Sequence, residues 1–208
     1  MNFGRIVLAF WTWLALGAVA AAGCMDTDNK FWINAPGQQA TYDKLMQLMS
    51  CPADVDDDEG RQIDAVACNW FVAKGLKELY DVADFTPDTQ GKWLSANEIA
   101  AWVRSHPDQW TKLGQANEQS TLNDAANGAS NQQPILAVME GDPHGHVALV
   151  LQGTLQASST WKDSAGTRLK VPNSAAFSLN NVSKAYVFCR LSAAFSDPSK
   201  VELYFRVK

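Results

Sequence analysis

Between Gln38 and Ser50 the apolar residues Tyr42, Leu45, Met46, Leu48 and Met49 recur at helical spacing, which predicts a helix. Cys51-Pro52 ends it, because the residue before a proline is driven out of the helical region. A second helix is predicted from about Asp64, whose carboxylate can accept from the free N–H groups of a first turn, to about Tyr80. Its apolar stripe is Cys68, Phe71, Val72, Gly75, Leu76 and Leu79. Pro87 to Gly91 reads as a turn. Ser95, with Glu98 three residues on, makes a capping box for a third helix that carries Ile99, Trp102 and Val103 and stops before His106-Pro107. Gln115 to Gln133 is polar, with a short helix predicted at its centre, Leu122 to Ala126.

The pattern then changes. Ile135 to Met139 and His146 to Leu151 are short apolar runs with strand character, separated by the turn signal Gly141-Asp142-Pro143. Gly153-Thr154 begins a turn that returns the chain towards Trp161. Tyr186 to Leu191 and Val201 to Val207 are two further strands, the last alternating Val201, Leu203, Phe205 and Val207 on one face. Helices first and an antiparallel sheet after make an α+β domain. No repeat or linker divides residues 24–208, which read as one domain.

The head of the chain reads differently. Met1 to Arg5 is short and basic, Ile6 to about Ala18 is apolar, and small residues lead to Cys24. Residues 1–23 are therefore expected to be a secretory signal, and the mature chain to be exported to a periplasm or beyond. Ala20-Ala21-Ala22 fits a signal-peptidase site. Ala21-Ala22-Gly23-Cys24 also resembles a bacterial lipoprotein signal, with Ala where Leu is usual. A lipid on Cys24 would be the sole membrane attachment.

Composition narrows the function. Of 208 residues, 47% are apolar and 19% charged, a globular balance. A formal net charge of −5 without any basic run excludes a broad electrostatic grip on nucleic acid. The four cysteines, Cys24, Cys51, Cys68 and Cys189, fit two schemes in an oxidising compartment. Lipidation of Cys24 leaves Cys51 and Cys189 to bridge. Otherwise Cys24–Cys51 is the natural short loop and Cys189 stays a buried thiol.

The candidate chemistry lies in Cys68 and His146. A thiol needs a base to become a nucleophile near neutral pH, and a helix-borne Cys followed by a strand-borne His is one way folds supply it. In the first turn of its helix Cys68 would gain from the helix dipole and free N–H groups, which favour a thiolate and can hold an oxyanion. With a hairpin about Gly153, Thr160 would lie opposite His146 and its hydroxyl could orient the imidazole; Asp163 and Asn173 are alternatives. No metal and no cofactor are expected. His144 and His146 would share a face only if the strand extended back, and a metal would need more protein ligands. The acidic loop Asp54 to Gly60 lacks the mid-loop Gly and distal Glu of an EF-hand and is expected to be solvated, with calcium at Asp54, Asp56 and Asp58 as the alternative.

Cys-Asn-Trp-Phe-Val at 68–72 and Gly-His-Val-Ala-Leu-Val at 145–150 resemble the cysteine/histidine-dependent amidohydrolase/peptidase (CHAP) family and its NlpC-type relatives, over roughly Gln62 to Trp161. The resemblance implies a papain-like fold, N-terminal helices on a C-terminal antiparallel sheet. It implies a monomeric peptidoglycan hydrolase with Cys68 as nucleophile and His146 as base, cutting a peptide or amide bond of the stem peptide. Amidase effectors delivered between bacteria share the pattern. Gln62, six residues before Cys68, stands where papain-like proteases place an oxyanion-hole glutamine. Trp70 and Trp161 would flank a substrate groove or simply pack. Two alternatives stay open: an envelope lipoprotein that binds cell wall without cutting it, and a secreted toxin acting on a protein amide.

Overall fold

A computed structural model describes residues 37–50, 67–177 and 185–207 of the chain. The expected signal segment, Cys24, Cys51, the acidic loop, Gln62 and Asp64 lie outside the described residues. In chain order the elements are α1 (Gln38–Ser50), α2 (Ala67–Tyr80), one turn of helix α3 (Pro87–Gln90), α4 (Ala96–Ser105), β1 (Trp110–Gln115), α5 (Gln119–Ser130), β2 (Ile135–Met139), β3 (His146–Lys162), β4 (Arg168–Ala176), β5 (Tyr186–Arg190) and β6 (Glu202–Arg206). Two short 3-10 turns, Leu191–Ala193 and Pro198–Lys200, join β5 to β6. The six strands form one sheet in the order β1-β6-β2-β3-β4-β5. Every neighbouring pair is antiparallel. This is a mixed α+β fold.

The first three predicted helices are present over their apolar stripes. Ser95 caps α4 through the expected box: its hydroxyl accepts from Glu98 N–H and the Glu98 carboxylate accepts from Ser95 N–H. On α2 the stripe is buried from Cys68 to Leu76, with Phe71, Val72 and Leu76 fully enclosed, and Leu79 is half-buried at its end. Gly75 is what lets α2 sit close. A Cβ there would come within 2.6 Å of Leu149 Cδ1 and 3.1 Å of Leu45 Cδ2, so the bare backbone fits between α1 and β3.

Both faces of the sheet are covered, and the strands sort their side chains by alternation. One face packs Leu136, Val138, Val147, Leu149 and Leu151 against α1, α2 and α4. The other packs Ile135, Ala137, Ala148 and Val150 against Leu122, Ala125 and Ala129 of α5. They are called below the α2 face and the α5 face. Asp84, in the loop after α2, ties the helical layer to the sheet: it accepts from Trp110 Nε1 at 2.9 Å and from Arg206 Nε and Nη2 at 2.7 and 3.1 Å.

Three expectations are corrected. Gly153 does not begin a hairpin: β3 runs unbroken from His146 to Lys162. Its register against β4 shifts between Leu151 and Gln156, so Gly153, at φ +132°, sits in a bulged stretch of strand. β1 and β4 were not foreseen. β4 carries Pro172 in its interior, which argues against a strand; here Pro172 falls at the same register shift, between Val171 and Asn173. The polar-stretch helix is longer than Leu122 to Ala126, because α5 spans Gln119–Ser130.

Candidate functional site

Cys68 lies in the first turn of α2, one residue past its first described position, and is a free thiol. Only 3% of it is exposed, and it belongs to the core of the α2 face. Burial pushes the thiol pKa up, and the backbone N–H groups of Val147, Asn69 and Cys68 itself partly offset this by favouring the thiolate. The start of β3 thus comes against the start of α2, as the order of the motifs predicts. The next residue, Asn69, is also buried and donates to Leu94 O, which anchors the helix start to the approach of α4.

His146 is the first residue of β3 and pairs with Met139 of β2. Its neighbour Val147 faces α2, so the imidazole points the other way, to the α5 face. There it packs edge-on to Phe195 with ring centroids 5.2 Å apart. The structure therefore brings Cys68 to the backbone of the His146 segment but does not bring the sulfur and the imidazole together. Burial lowers the His146 pKa to about 4, so the ring is neutral at physiological pH.

His146 opens into a cavity of about 480 Å³ walled by Met139, Thr160, Tyr186, Ser192, Phe195 and Ser196, among others. Thr160 borders the same cavity, but it lies on β3 itself and not on a returning hairpin strand opposite His146. No hydrogen bond joins its hydroxyl to the ring among the described residues. The alternative orienting groups are engaged elsewhere. Asp163 accepts from the N–H groups of Ala165 and Thr167. Asn173 donates to Gln152 O and accepts from Gln156 Nε2.

Trp70 and Trp161 are 5% and 1% exposed, so both pack rather than line a groove. Trp70 tilts against Trp93, and Trp161 donates to Phe195 O at 2.9 Å on the α5 face. His144 lies in the loop before β3 and so shares no strand face with His146. Cys189 is disulfide-bonded to a partner outside the described residues, which removes the scheme that left it a buried thiol.

Two groups of residues escaped the sequence reading. Asn97 exchanges a pair of hydrogen bonds with the backbone of Gly141, at 2.9 and 3.2 Å, and so fixes the loop that delivers His146. Its place in the first turn of α4 carried no signal for this. The segment Ser192–Ser196 closes the cavity from a distance of almost fifty residues, and nothing local in its sequence marks that contact. No known family model matches the chain, and no curated protein matches it.

Proposed function

We propose that the chain is an exported cysteine hydrolase of papain-like type that cuts an amide or peptide bond in peptidoglycan, with Cys68 as nucleophile. The observation that carries this reading is the free thiol in the first turn of α2, close to the backbone of Val147 at the start of β3, in a chain where another cysteine is bridged. The CHAP-like motifs around Cys68 and His146 support it. In the competent state the first residue of β3 turns its side chain to the α2 face. His146 is the end residue of its strand, so this needs a local backbone rotation and leaves the rest of the ladder paired.

The chemistry then balances in two steps. The imidazole takes the thiol proton, the thiolate adds to the carbonyl carbon, and N–H groups at the helix start hold the oxyanion. The C–N bond breaks as imidazolium gives its proton to the departing amine. Water, deprotonated by the same ring, then cleaves the thioester and frees the carboxylic acid and the thiol.

One observation favours a second reading, a wall-binding protein that does not cut. It is the placement of Cys68 and His146 on opposite faces of the sheet. Mass spectrometry of purified peptidoglycan incubated with the protein separates the two. The hydrolase reading expects soluble fragments with one new amine and one new carboxylate. Retention of protein on intact wall, with no new ends, would replace it with the binding reading.

A further inference from the structure

The loop that delivers His146 is held by α4 more than by the sheet. β2 ends at Met139, β3 begins at His146, and the ladder between them stops at that pair. On its other side β3 enters register with β4 only from Leu149. His146 thus sits at the limit of what strand pairing fixes, and the backbone of residues 140–145 must find partners elsewhere.

The first turn of α4 supplies them. Asn97 donates from Nδ2 to Gly141 O at 2.9 Å and accepts at Oδ1 from Gly141 N–H at 3.2 Å. A Cβ on Gly145 would run into the same Oδ1 and into Met139 O, so the Asn97 amide also lies against the residue directly before His146. At the other end of α4, Arg104 pairs with Glu140 at 2.6 Å. The start of α4 is itself fixed. The Ser95–Glu98 box closes its first turn, and Asn69, next to Cys68, donates to Leu94 O. A chain of contacts therefore runs from Cys68 and Asn69 through Leu94 and Asn97 to Gly141, Gly145 and His146.

These tethers differ in weight. Arg104 and Glu140 are 39% and 48% exposed, and an ion pair so open to water holds little. Asn97 is half-buried and commits both ends of its amide to the loop backbone. Turning residue 146 to the α2 face rotates the peptide that joins it to Gly145, and Gly145 has no room to follow while the Asn97 amide lies on it.

We propose that Asn97 is a positioning residue for His146: it latches the β2–β3 loop with the imidazole on the α5 face, and opening of the Asn97–Gly141 pair lets residue 146 turn to Cys68. The inference rests on the hydrolase reading above and adds what controls that site. Opening the latch gives up two neutral hydrogen bonds and leaves the strand ladder in place, so the turned state is a minor population of the folded protein.

The test reads that population without catalysis. In His146→Cys, the rate at which diamide bridges the introduced thiol to Cys68 reports how often residue 146 reaches the α2 face. Adding Asn97→Ala should raise the rate about tenfold, the share of two modest hydrogen bonds. Adding Arg104→Ala instead should change it by less than about threefold. In the protein that keeps His146, NMR relaxation dispersion at the imidazole should show a second state that is more populated in Asn97→Ala than in wild type. A purely structural role for Asn97 would lower the denaturation midpoint and leave both readouts where they were. Bridging at equal rates with and without the Asn97 side chain would overturn the latch alone. No bridge in any background would overturn the turning of His146 and the latch with it, whereas a failure to cut peptidoglycan bears on the hydrolase reading and not on these rates.

Discussion

At the scale of the residue, His146 carries the clearest electrostatic signature of the candidate site. Its pKa near 4 against an ordinary value of 6.5 is a consequence of burial, and it makes a signed statement about stability. Between pH 6.5 and 4 the unfolded chain binds the proton and the folded chain does not, so stability falls as the solution is acidified through that window. Urea denaturation from pH 7 to pH 5 should lose up to about 1 kcal/mol per pH unit from this group. His146→Gln should flatten the slope, and a slope that survives the substitution would assign it elsewhere. Glu202 acts lower down. Burial alone would raise its pKa, but Lys112, Arg104 and the Tyr204 hydroxyl outweigh this and hold it at about 2. Its contribution is therefore lost as the pH falls from about 4.5 through about 2, mostly below the His146 window. The proposed turning of His146 has its own check. In His146→Cys, mild oxidation with diamide should form a bridge to Cys68, since a disulfide requires both side chains on one face at short range. Two free thiols after oxidation, by thiol counting in denaturant, would show that residue 146 stays on the α5 face.

The face that His146 chooses was not legible in the sequence, and the reason is physical. Strand register is read from alternation when one face of a sheet is wet. Here Val147, Leu149 and Leu151 are buried against α2, and Ala148 and Val150 are buried against α5. The run His-Val-Ala-Leu-Val-Leu is apolar on both sides, so it announces a strand and says nothing of which side faces what. Cys68 was legible because its position depends only on where a helix starts and which stripe it buries.

At the scale of the element, β3 is where local signals and tertiary structure part. A Gly followed by polar residues reads as a turn, yet Gly153 is a bulge in a seventeen-residue strand. Its φ of +132° is open to glycine and strained for other residues, and a Cβ there would come within 2.3 Å of Asn173 Nδ2. Gly153→Ala should destabilise the protein by about 2 kcal/mol, through backbone strain and displacement of Asn173. Chemical denaturation measures it, and an unchanged midpoint would return Gly153 to an unconstrained turn. The same bulge hides β4 from a sequence reading, since Pro172 is tolerated in a strand interior where the ladder is out of step. The helices, by contrast, rest on local signals. The Ser95–Glu98 box and the α2 stripe are written within a few residues of where they act.

At the scale of the molecule, one sheet separates two environments. The α2 face holds a buried thiol among backbone donors. The α5 face holds a neutral imidazole in a polar, uncharged cavity. The two meet at the first residues of β3, whose loop is pinned by Asn97 and whose strand is paired on both sides. Among the described residues no helix is long and apolar enough to cross a membrane. The proposed export rests on residues 1–23.

The central claim is that Cys68 performs the chemistry, and its most direct measurement is the initial rate at which purified peptidoglycan releases soluble fragments. Wild type should release them. Cys68→Ala, shown to be folded by an unchanged denaturation midpoint within about 1 kcal/mol, should lower the rate by at least a thousandfold, as removal of a covalent nucleophile does. Equal release by wild type and the folded variant would contradict the account.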